Sequence, residues 1–98
     1  MNAEFNDVPL IKNIEKERFE LKTGDYVTFI DYKERGNKIW LIHTEAPAEL
    51  KGQGTATAIV EKTLVYLEDN KYTLIPLCPF VGTYLKRHPE WNRIVEKS

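Results

Sequence analysis

Apolar residues in the first half of the chain recur at every second position, which is the spacing of a half-buried strand. Phe19 and Leu21 alternate with charged neighbours, and two later segments are rich in the aromatic and β-branched residues that favour strands. Short turns containing glycine separate these segments, so an antiparallel meander is predicted over residues 16–22, 26–33 and 38–45. The third strand has two expected faces, with Ile39, Leu41 and His43 on one and Trp40, Ile42 and Thr44 on the other.

After Pro47 the apolar residues adopt helical spacing, which predicts a helix over residues 54–68. A fourth strand is predicted over residues 72–77, followed by a short helix that begins at Pro79 and a last helical turn over residues 89–95. The third strand, the long helix and the fourth strand form a right-handed β-α-β unit with parallel strands. The predicted fold class is therefore α/β (α+β), a mixed sheet with an antiparallel meander, one parallel strand and short C-terminal helices.

The composition narrows the class of protein. The chain has 98 residues, of which 42% are hydrophobic and 30% charged, as expected for one globular domain over residues 1–98 after a frayed start at residues 1–8. A net charge of -1 gives no reason to expect nucleic acid as a partner. No apolar run approaches a membrane span, and the N-terminal sequence MNAEFNDVPL is unlike a signal peptide.

Cysteine and histidine are too few to build a stabilising framework. The single cysteine cannot form an internal disulfide, so a cytoplasmic location is expected. The two histidines lie far apart and no C-x-x-C occurs, which argues against a structural metal site. A monomer is plausible for a chain of this kind.

The segment LKGQGTA, residues 50–56, has two glycines between the third strand and the long helix. The first turn of a helix has unpaired backbone N–H groups and a partial positive charge, and glycine lets the backbone approach a ligand closely. This combination favours a phosphate or pyrophosphate. The spacing fits neither the P-loop nor the dinucleotide-binding pattern, so a turn that needs glycine only for its geometry is the alternative.

The segment IWLIHTEAPAELKGQGTATAIVEKTL resembles the coenzyme A motif of GNAT-superfamily N-acetyltransferases, which carry Q/R-x-x-G-x-G/A between a central strand and a long helix. The phrases HTE, PLCPF and RHPEW are similar to the small, single-domain YjdJ-type branch, and the resemblance runs from about Phe5 to Trp91. Lys51 stands where the superfamily usually has Arg or Gln. The matching residues are Lys51, Gly52, Gln53, Gly54, Thr55 and Ala56.

The resemblance implies a minimal GNAT fold that binds acetyl-CoA or coenzyme A. In that fold the two parallel strands splay apart around pantetheine, so residues 41–43 would present the backbone edge and residues 53–56 would hold the pyrophosphate. The elements that build an acceptor pocket in larger relatives are missing, so an open acceptor side is expected. The expected cofactor-binding residues are Leu41, Ile42, His43, Lys51, Gly52, Gln53, Gly54, Thr55, Ala56, Cys78, Pro79, Phe80, Tyr84 and Arg87.

Transfer of an acetyl group from a thioester to an amine requires a base for the amine proton, a stabilised oxyanion and a proton for the departing thiolate. Cys78 precedes a predicted helix N-terminus, a position that favours the thiolate, and the family's PLCPF motif puts it by the thioester. Three interpretations stay open for Cys78: a transient acyl acceptor, a proton donor or a packing residue.

His43 and Glu45 share a face at the end of the third strand, and either is a candidate base, Glu45 through a water molecule. The alternatives are a buried structural histidine and a solvated glutamate. By resemblance, Tyr84 is a candidate proton donor to the thiolate, although its place on an apolar stripe also fits packing alone. Arg87 could contact the cofactor's phosphates or simply be a cation favoured at a helix C-terminus.

The sequence and the resemblance together predict an acetyl-CoA-dependent N-acetyltransferase that acts on an amine, either small or on a protein. The alternative is a module that binds coenzyme A or acyl-CoA without robust turnover, as a sensor or an interaction protein.

Overall fold

The computed structural model describes residues 7–97. The frayed start expected for residues 1–8 therefore lies outside the described residues except for Asp7 and Val8, and Val8 packs against the core. The strands are β1 (Ile11–Asn13), β2 (Arg18–Thr23), β3 (Tyr26–Arg35), β4 (Lys38–Glu45) and β5 (Thr73–Pro76). The helices are α1 (Thr55–Asp69) and α2 (Pro79–Arg87), with 3-10 segments at Ala48–Leu50 and Pro89–Ile94.

One mixed sheet contains these strands in the order β1-β2-β3-β4-β5. The first four pair antiparallel, and β5 joins β4 in parallel after the α1 crossover. The predicted antiparallel meander and the parallel pairing across the β-α-β unit are confirmed, and the right hand of the crossover stays a prediction. Strand β1 was not predicted, because its sequence IKN is too short to display an alternating pattern.

The hydrophobic core lies between one face of the sheet and the two helices. Fully buried side chains of β2, β3 and β4 meet the apolar stripe of α1, and α2 adds Val81 and Leu85 to the same cluster. These helices leave the opposite face of the sheet, called the open face below, without a helix among the described residues. Antiparallel sheets often expose one face in this way.

A lysine surrounded by tyrosines ties β1 to the rest of the fold. The Nζ atom of Lys12 lies 5.3 to 5.7 Å from the ring centroids of Tyr32, Tyr66 and Tyr72, and it donates a hydrogen bond to Glu34 Oε1 at 2.6 Å. The hydroxyl of Tyr72 donates to the other oxygen of Glu34 at 2.7 Å. These five residues are called the Lys12 cluster.

The Lys12 cluster stabilises the charged forms of its ion pair. Burial alone lowers the pKa of Lys12, but its hydrogen bonds with Glu34 and Tyr72 outweigh burial and raise that pKa. The same hydrogen bonds, first that from Lys12 and then that from Tyr72, lower the pKa of Glu34. Both shifts favour the folded state at neutral pH.

Candidate active site at the splayed strands

Strand β4 has a bulge at Ile42. Asp31 of β3 pairs with His43, whereas the next residue, Tyr32, pairs with Leu41, so Ile42 is the extra residue on β4. A bulge of this kind interrupts the regular alternation of side chains along the bulged strand. The faces of β4 therefore change over at Ile42.

After the bulge, Thr44 lies on the helix side of the sheet and His43 and Glu45 lie on the open face. Thr44 pairs with Ile30, which is fully buried, and this pairing fixes its side. The prediction that put His43 on the face of Ile39 and Leu41, and Thr44 on the face of Trp40 and Ile42, was wrong for both residues. The reason is the extra residue, which a strict period of two cannot represent.

Strands β4 and β5 separate after their fourth pair, Leu41 with Pro76. The carbonyl oxygen of Leu41 accepts hydrogen bonds from the N–H groups of Leu77 and Cys78, both at 2.9 Å, and the chain then turns into α2. Residues 42–45 continue without a neighbour in β5, which produces a V-shaped splay between parallel strands. The Leu41 carbonyl is already occupied, so the predicted edge for pantetheine begins at Ile42.

The base of the splay contains a thiol and a hydroxyl. Cys78 occupies the N-cap position of α2 and is 3% exposed, and its Sγ atom lies 3.2 Å from Thr44 Oγ1. This contact exists because the bulge turns Thr44 toward the helices. Thr44 belongs to the HTE phrase, yet it was not predicted as a site residue, because simple alternation puts it on the other face.

His43 and Glu45 form a pair on the open face beside the splay. The Nε2 atom of His43 lies 3.3 Å from Glu45 Oε1, and their side chains are 56% and 62% exposed. This exposure rules out the alternative of a buried structural histidine. Their predicted location on one shared face is confirmed, but that face is the one opposite to Ile39 and Leu41.

The glycine loop requires glycine at two positions. Gly52 and Gly54 have φ angles of 84° and 80°, in the left-handed region where other residues are strained. Gly54 is the N-cap of α1 and makes no side-chain cap bond, because glycine has no side chain. The backbone geometry alone therefore explains why these two positions hold glycine.

The loop also presents backbone donors. The first backbone bond of α1 runs from the N–H of Ala58 to the carbonyl of Gly54 at 2.9 Å, so the N–H groups of Thr55, Ala56 and Thr57 precede any intrahelical acceptor. The N–H of Gln53 donates to the carbonyl of Leu50 at 3.1 Å. Within the predicted set of residues 53–56, Gln53 thus uses its N–H inside the loop, whereas the N–H groups of Thr55 and Ala56 point out of the first turn.

A groove of about 530 Å³ lies between this loop and α2. Its α2 wall is Phe80, whose side chain is 40% exposed, and Lys51 reaches it from the loop. A smaller groove of about 130 Å³, lined in part by Arg87, shares Phe80 and Thr57 with it. The lining residues of the larger groove are Ala46, Ala48, Leu50, Lys51, Gly52, Gly54, Thr55, Ala56, Thr57 and Phe80.

Tyr84 lies deeper in α2 and its hydroxyl already has partners. The side chain is buried, its ring stacks on His88 at 4.2 Å, and its hydroxyl hydrogen-bonds with Glu61 of α1 and with Trp91. Burial and the nearby Glu61 carboxylate raise the pKa of Tyr84 to about 12. These contacts join α1, α2 and the C-terminal segment, which agrees with packing.

Two negative findings concern other kinds of site. Across residues 7–97, no helix combines the length and apolar character needed to cross a bilayer. Over the same range, His, Cys, Asp and Glu side chains do not converge in groups of three or more that could hold a metal ion.

The mixed sheet, the splay after Leu41 and the crossover helix define the GNAT fold. The NMR solution structure of a GCN5-like candidate N-acetyltransferase from Staphylococcus aureus has the same fold, with a TM-score of 0.69. The match covers 95% of this chain and 92% of that one at 18% identity, so the likeness concerns the fold alone. The predicted fold class is confirmed.

The family follows from the sequence itself. A family model described as GCN5-related N-acetyl-transferase matches residues 18–94, which include the splay, the glycine loop and Cys78. The chain therefore belongs to the GCN5-related N-acetyltransferase family, whose chemistry is acyl transfer. The family predicted from the resemblance is confirmed, and the narrower YjdJ-type branch stays a prediction.

Proposed function

We propose that the chain is a single-domain N-acetyltransferase over residues 1–98 that transfers an acetyl group from acetyl-CoA to an amine. One observation carries the proposal. The splay that begins after Leu41 adjoins the Cys78 thiol, the His43–Glu45 pair and the groove of the glycine loop. Each of these features has a use in acyl transfer, and their location at one end of the sheet is what that reaction requires.

The glycine loop fits the pyrophosphate of coenzyme A. The helix N-terminus offers the N–H groups of residues 55–57, and the dipole of α1 adds a partial positive charge. Gly52 and Gly54 carry no side chain that would keep phosphate oxygens away, and exposed Lys51 adds a full positive charge. We assign Pro79, Phe80 and Arg87 to the opposite wall, with Arg87 available to a phosphate.

The backbone edge of Ile42 and His43 suits pantetheine, because its amides can replace the missing strand neighbour. When bound there, acetyl-CoA supplies the acetyl group as an activated thioester. The chain's own contribution is to hold that thioester at the base of the splay, next to Cys78 and Thr44, and within reach of an amine that approaches from the open face.

His43 is assigned as the base that takes the proton from the amine. The imidazole is 56% exposed, so it can return the proton to water after each turnover. Glu45 accepts a hydrogen bond from His43 or stabilises its protonated form, which orients the ring. Glu45 is thus a positioning residue in this assignment, and a base only if it acts through water.

Cys78 is assigned as the proton donor to the departing thiolate, with Thr44 holding its thiol in place. The amine nitrogen bonds to the acetyl carbon and the carbon–sulfur bond breaks, while His43 receives one proton and Cys78 gives one. Tyr84 is less suited to the donor role, because its hydroxyl already hydrogen-bonds with Glu61 and Trp91, and burial raises its pKa to about 12.

Calorimetric titration with acetyl-CoA and with coenzyme A tests the proposal, followed by intact mass spectrometry of the mixture. We expect both ligands to bind and Cys78 to stay unmodified, as direct transfer requires. An acetyl adduct that maps to Cys78 would instead assign this residue as an acyl acceptor. Binding without transfer to any amine would favour a coenzyme A-binding module, and no binding to either ligand would refute both functions.

A further inference from the structure

An apolar hollow of about 360 Å³ lies on the open face of the sheet. Its floor consists of Trp40, Ile42 and Leu77, and its rim consists of Lys33, Glu34 and Arg35. The side chains of Ile42 and Leu77 are 37% and 58% exposed, which is high for residues of this size and type. The hollow is separate from the groove of the glycine loop.

The hollow adjoins the splay on the side opposite the glycine loop. Ile42 is the bulge residue, and it lies on the open face with Trp40, immediately before the residues at which β4 leaves β5. Leu77 directly precedes Cys78 and lies at the point where β5 ends. An amine whose body occupies the hollow would therefore have its nitrogen at the mouth of the splay.

The charges at the two ends of the hollow differ in sign. At the end near the splay, Asp31 pairs with His43 across β3 and β4, and Glu45 contacts the same imidazole. At the other end, Lys33 is ion-paired with Glu17 at 2.8 Å and Glu34 with Lys12 at 2.6 Å, so the positive charge of this rim is that of Arg35. A cation is favoured at the first end and disfavoured at the second.

We propose that the acceptor is a small primary monoamine with an aryl or alkyl body, bound with the body on Trp40, Ile42 and Leu77. Its nitrogen lies beside His43, and Arg35 at the far rim disfavours a second positive charge. This inference rests on the proposed function. In the reaction the nitrogen bonds to the acetyl carbon of acetyl-CoA as the carbon–sulfur bond breaks, the amine proton passes to His43, and the thiolate takes the proton of Cys78.

The first test measures amine binding in the hollow directly and needs no turnover. The chain has two tryptophans, so Trp91→Phe leaves Trp40 as the sole indole. Titration of this variant with phenethylamine should produce a saturable change in the fluorescence of Trp40 or in its indole N–H signal. Cadaverine, an alkyl diamine, should bind about tenfold more weakly or not at all at equal ionic strength. Equal responses to both amines would overturn the proposal.

The second test keeps both tryptophans in place for the case in which Trp91→Phe unfolds. Leu77→Ser should raise the KM for phenethylamine about tenfold and leave the KM for acetyl-CoA unchanged. Val65→Ser is the matched control, because Val65 is a 47% exposed apolar residue on α1 outside the hollow, and it should leave both constants unchanged.

The outcomes separate this inference from the function on which it rests. If acetyl-CoA binds and some amine is acetylated, but Leu77→Ser leaves every amine KM unchanged, the hollow is not the acceptor site. Acetylation of lysine peptides in preference to phenethylamine would also contradict the monoamine. Failure of acetyl-CoA to bind at all would refute the proposed function. The response of Trp40 would still show whether the hollow binds amines.

Discussion

The Lys12 cluster and the splay between β4 and β5 use polar groups in opposite ways. In the Lys12 cluster, one ammonium group has a carboxylate at 2.6 Å and three aromatic rings around it, so its charge interacts with groups of the chain itself. At the splay, β4 continues past its last pair with β5, and the first turn of α1 presents N–H groups with no intrahelical acceptor.

This difference separates stability from function along the sheet. Internally paired groups lower the free energy of the folded state and are not available to bind a ligand. Groups without internal partners contribute little to folding but can bind what the chain itself does not supply. Substitutions at the splay should therefore affect binding and turnover, and substitutions in the Lys12 cluster should affect unfolding.

The largest effect is expected from His43→Gln. Removing a general base typically lowers kcat by about a hundredfold or more, and the exposed side chain of His43 supports no buried contact. We expect the calorimetric affinity for acetyl-CoA and the free energy of unfolding to stay unchanged. Steady-state kinetics with a saturating amine would measure the loss, and a variant with normal kcat would exclude His43 as the base.

Glu45→Gln decides between the two candidate bases. If Glu45 only orients His43, Glu45→Gln should lower kcat by less than His43→Gln does, because glutamine can still accept a hydrogen bond from the imidazole. If Glu45 acts as the base through a water molecule, the order of the two losses is reversed. The double variant should then lose little more than the worse single variant.

The next largest effect is expected from Gly54→Val. A branched side chain at a φ of 80° is strained and would stand where phosphate oxygens approach α1, so the dissociation constant for acetyl-CoA should rise about tenfold or more. Gly36→Val is the matched control, because Gly36 has a φ of 59° in the β3–β4 turn, far from the loop in sequence.

Both glycine variants should lose about 1–2 kcal/mol of unfolding free energy from backbone strain. Only Gly54→Val should lose affinity in the calorimetric titration. An equal affinity for acetyl-CoA in the two variants would mean that the glycines serve the turn alone, which is the alternative that the sequence left open.

The sequence predicted most of the fold because the strands and α1 each display a clear period. The mixed sheet, the long helix and the short C-terminal helices all follow from spacing and turn residues. Two features escaped. Strand β1 has too few residues for a period, and the Lys12 cluster joins residues from β1, β3 and α1 with Tyr72, which precedes β5, so no local pattern relates them.

The bulge at Ile42 explains the errors at the candidate site. The bulge arises from the pairing of β4 with β3, so the sequence of β4 alone does not predict it. One extra residue moved His43 to the open face beside Ile42 and brought Thr44 to Cys78. The glycine loop was predicted more accurately, because its geometry depends on local backbone angles that only glycine adopts cheaply.

A smaller effect, confined to stability, is expected from Lys12→Met. Methionine keeps the apolar contacts of the side chain but removes a hydrogen-bonded charge that is 19% exposed, so about 1–2 kcal/mol of unfolding free energy should be lost. Urea denaturation would measure it, with Lys16→Met at an exposed turn position as the control. A comparable loss of acetyl-CoA affinity would contradict the separation of the two regions.

The smallest effect is the dependence of stability on acid through Glu34. Hydrogen bonds from Lys12 and Tyr72 lower the pKa of this carboxyl below its usual 4.5, so the folded state binds its proton more weakly than the unfolded state does. The contribution is present above that value and is lost as the pH falls through the lower, folded pKa. Glu34→Gln should therefore flatten the fall in unfolding free energy on acidification by about 1 kcal/mol or less. Glu15→Gln is the control, because Glu15 is an exposed carboxylate in the β1–β2 turn, and it should leave the dependence of unfolding free energy on pH unaltered. Identical pH dependence in both variants would show that the ion pair of the Lys12 cluster adds no stability.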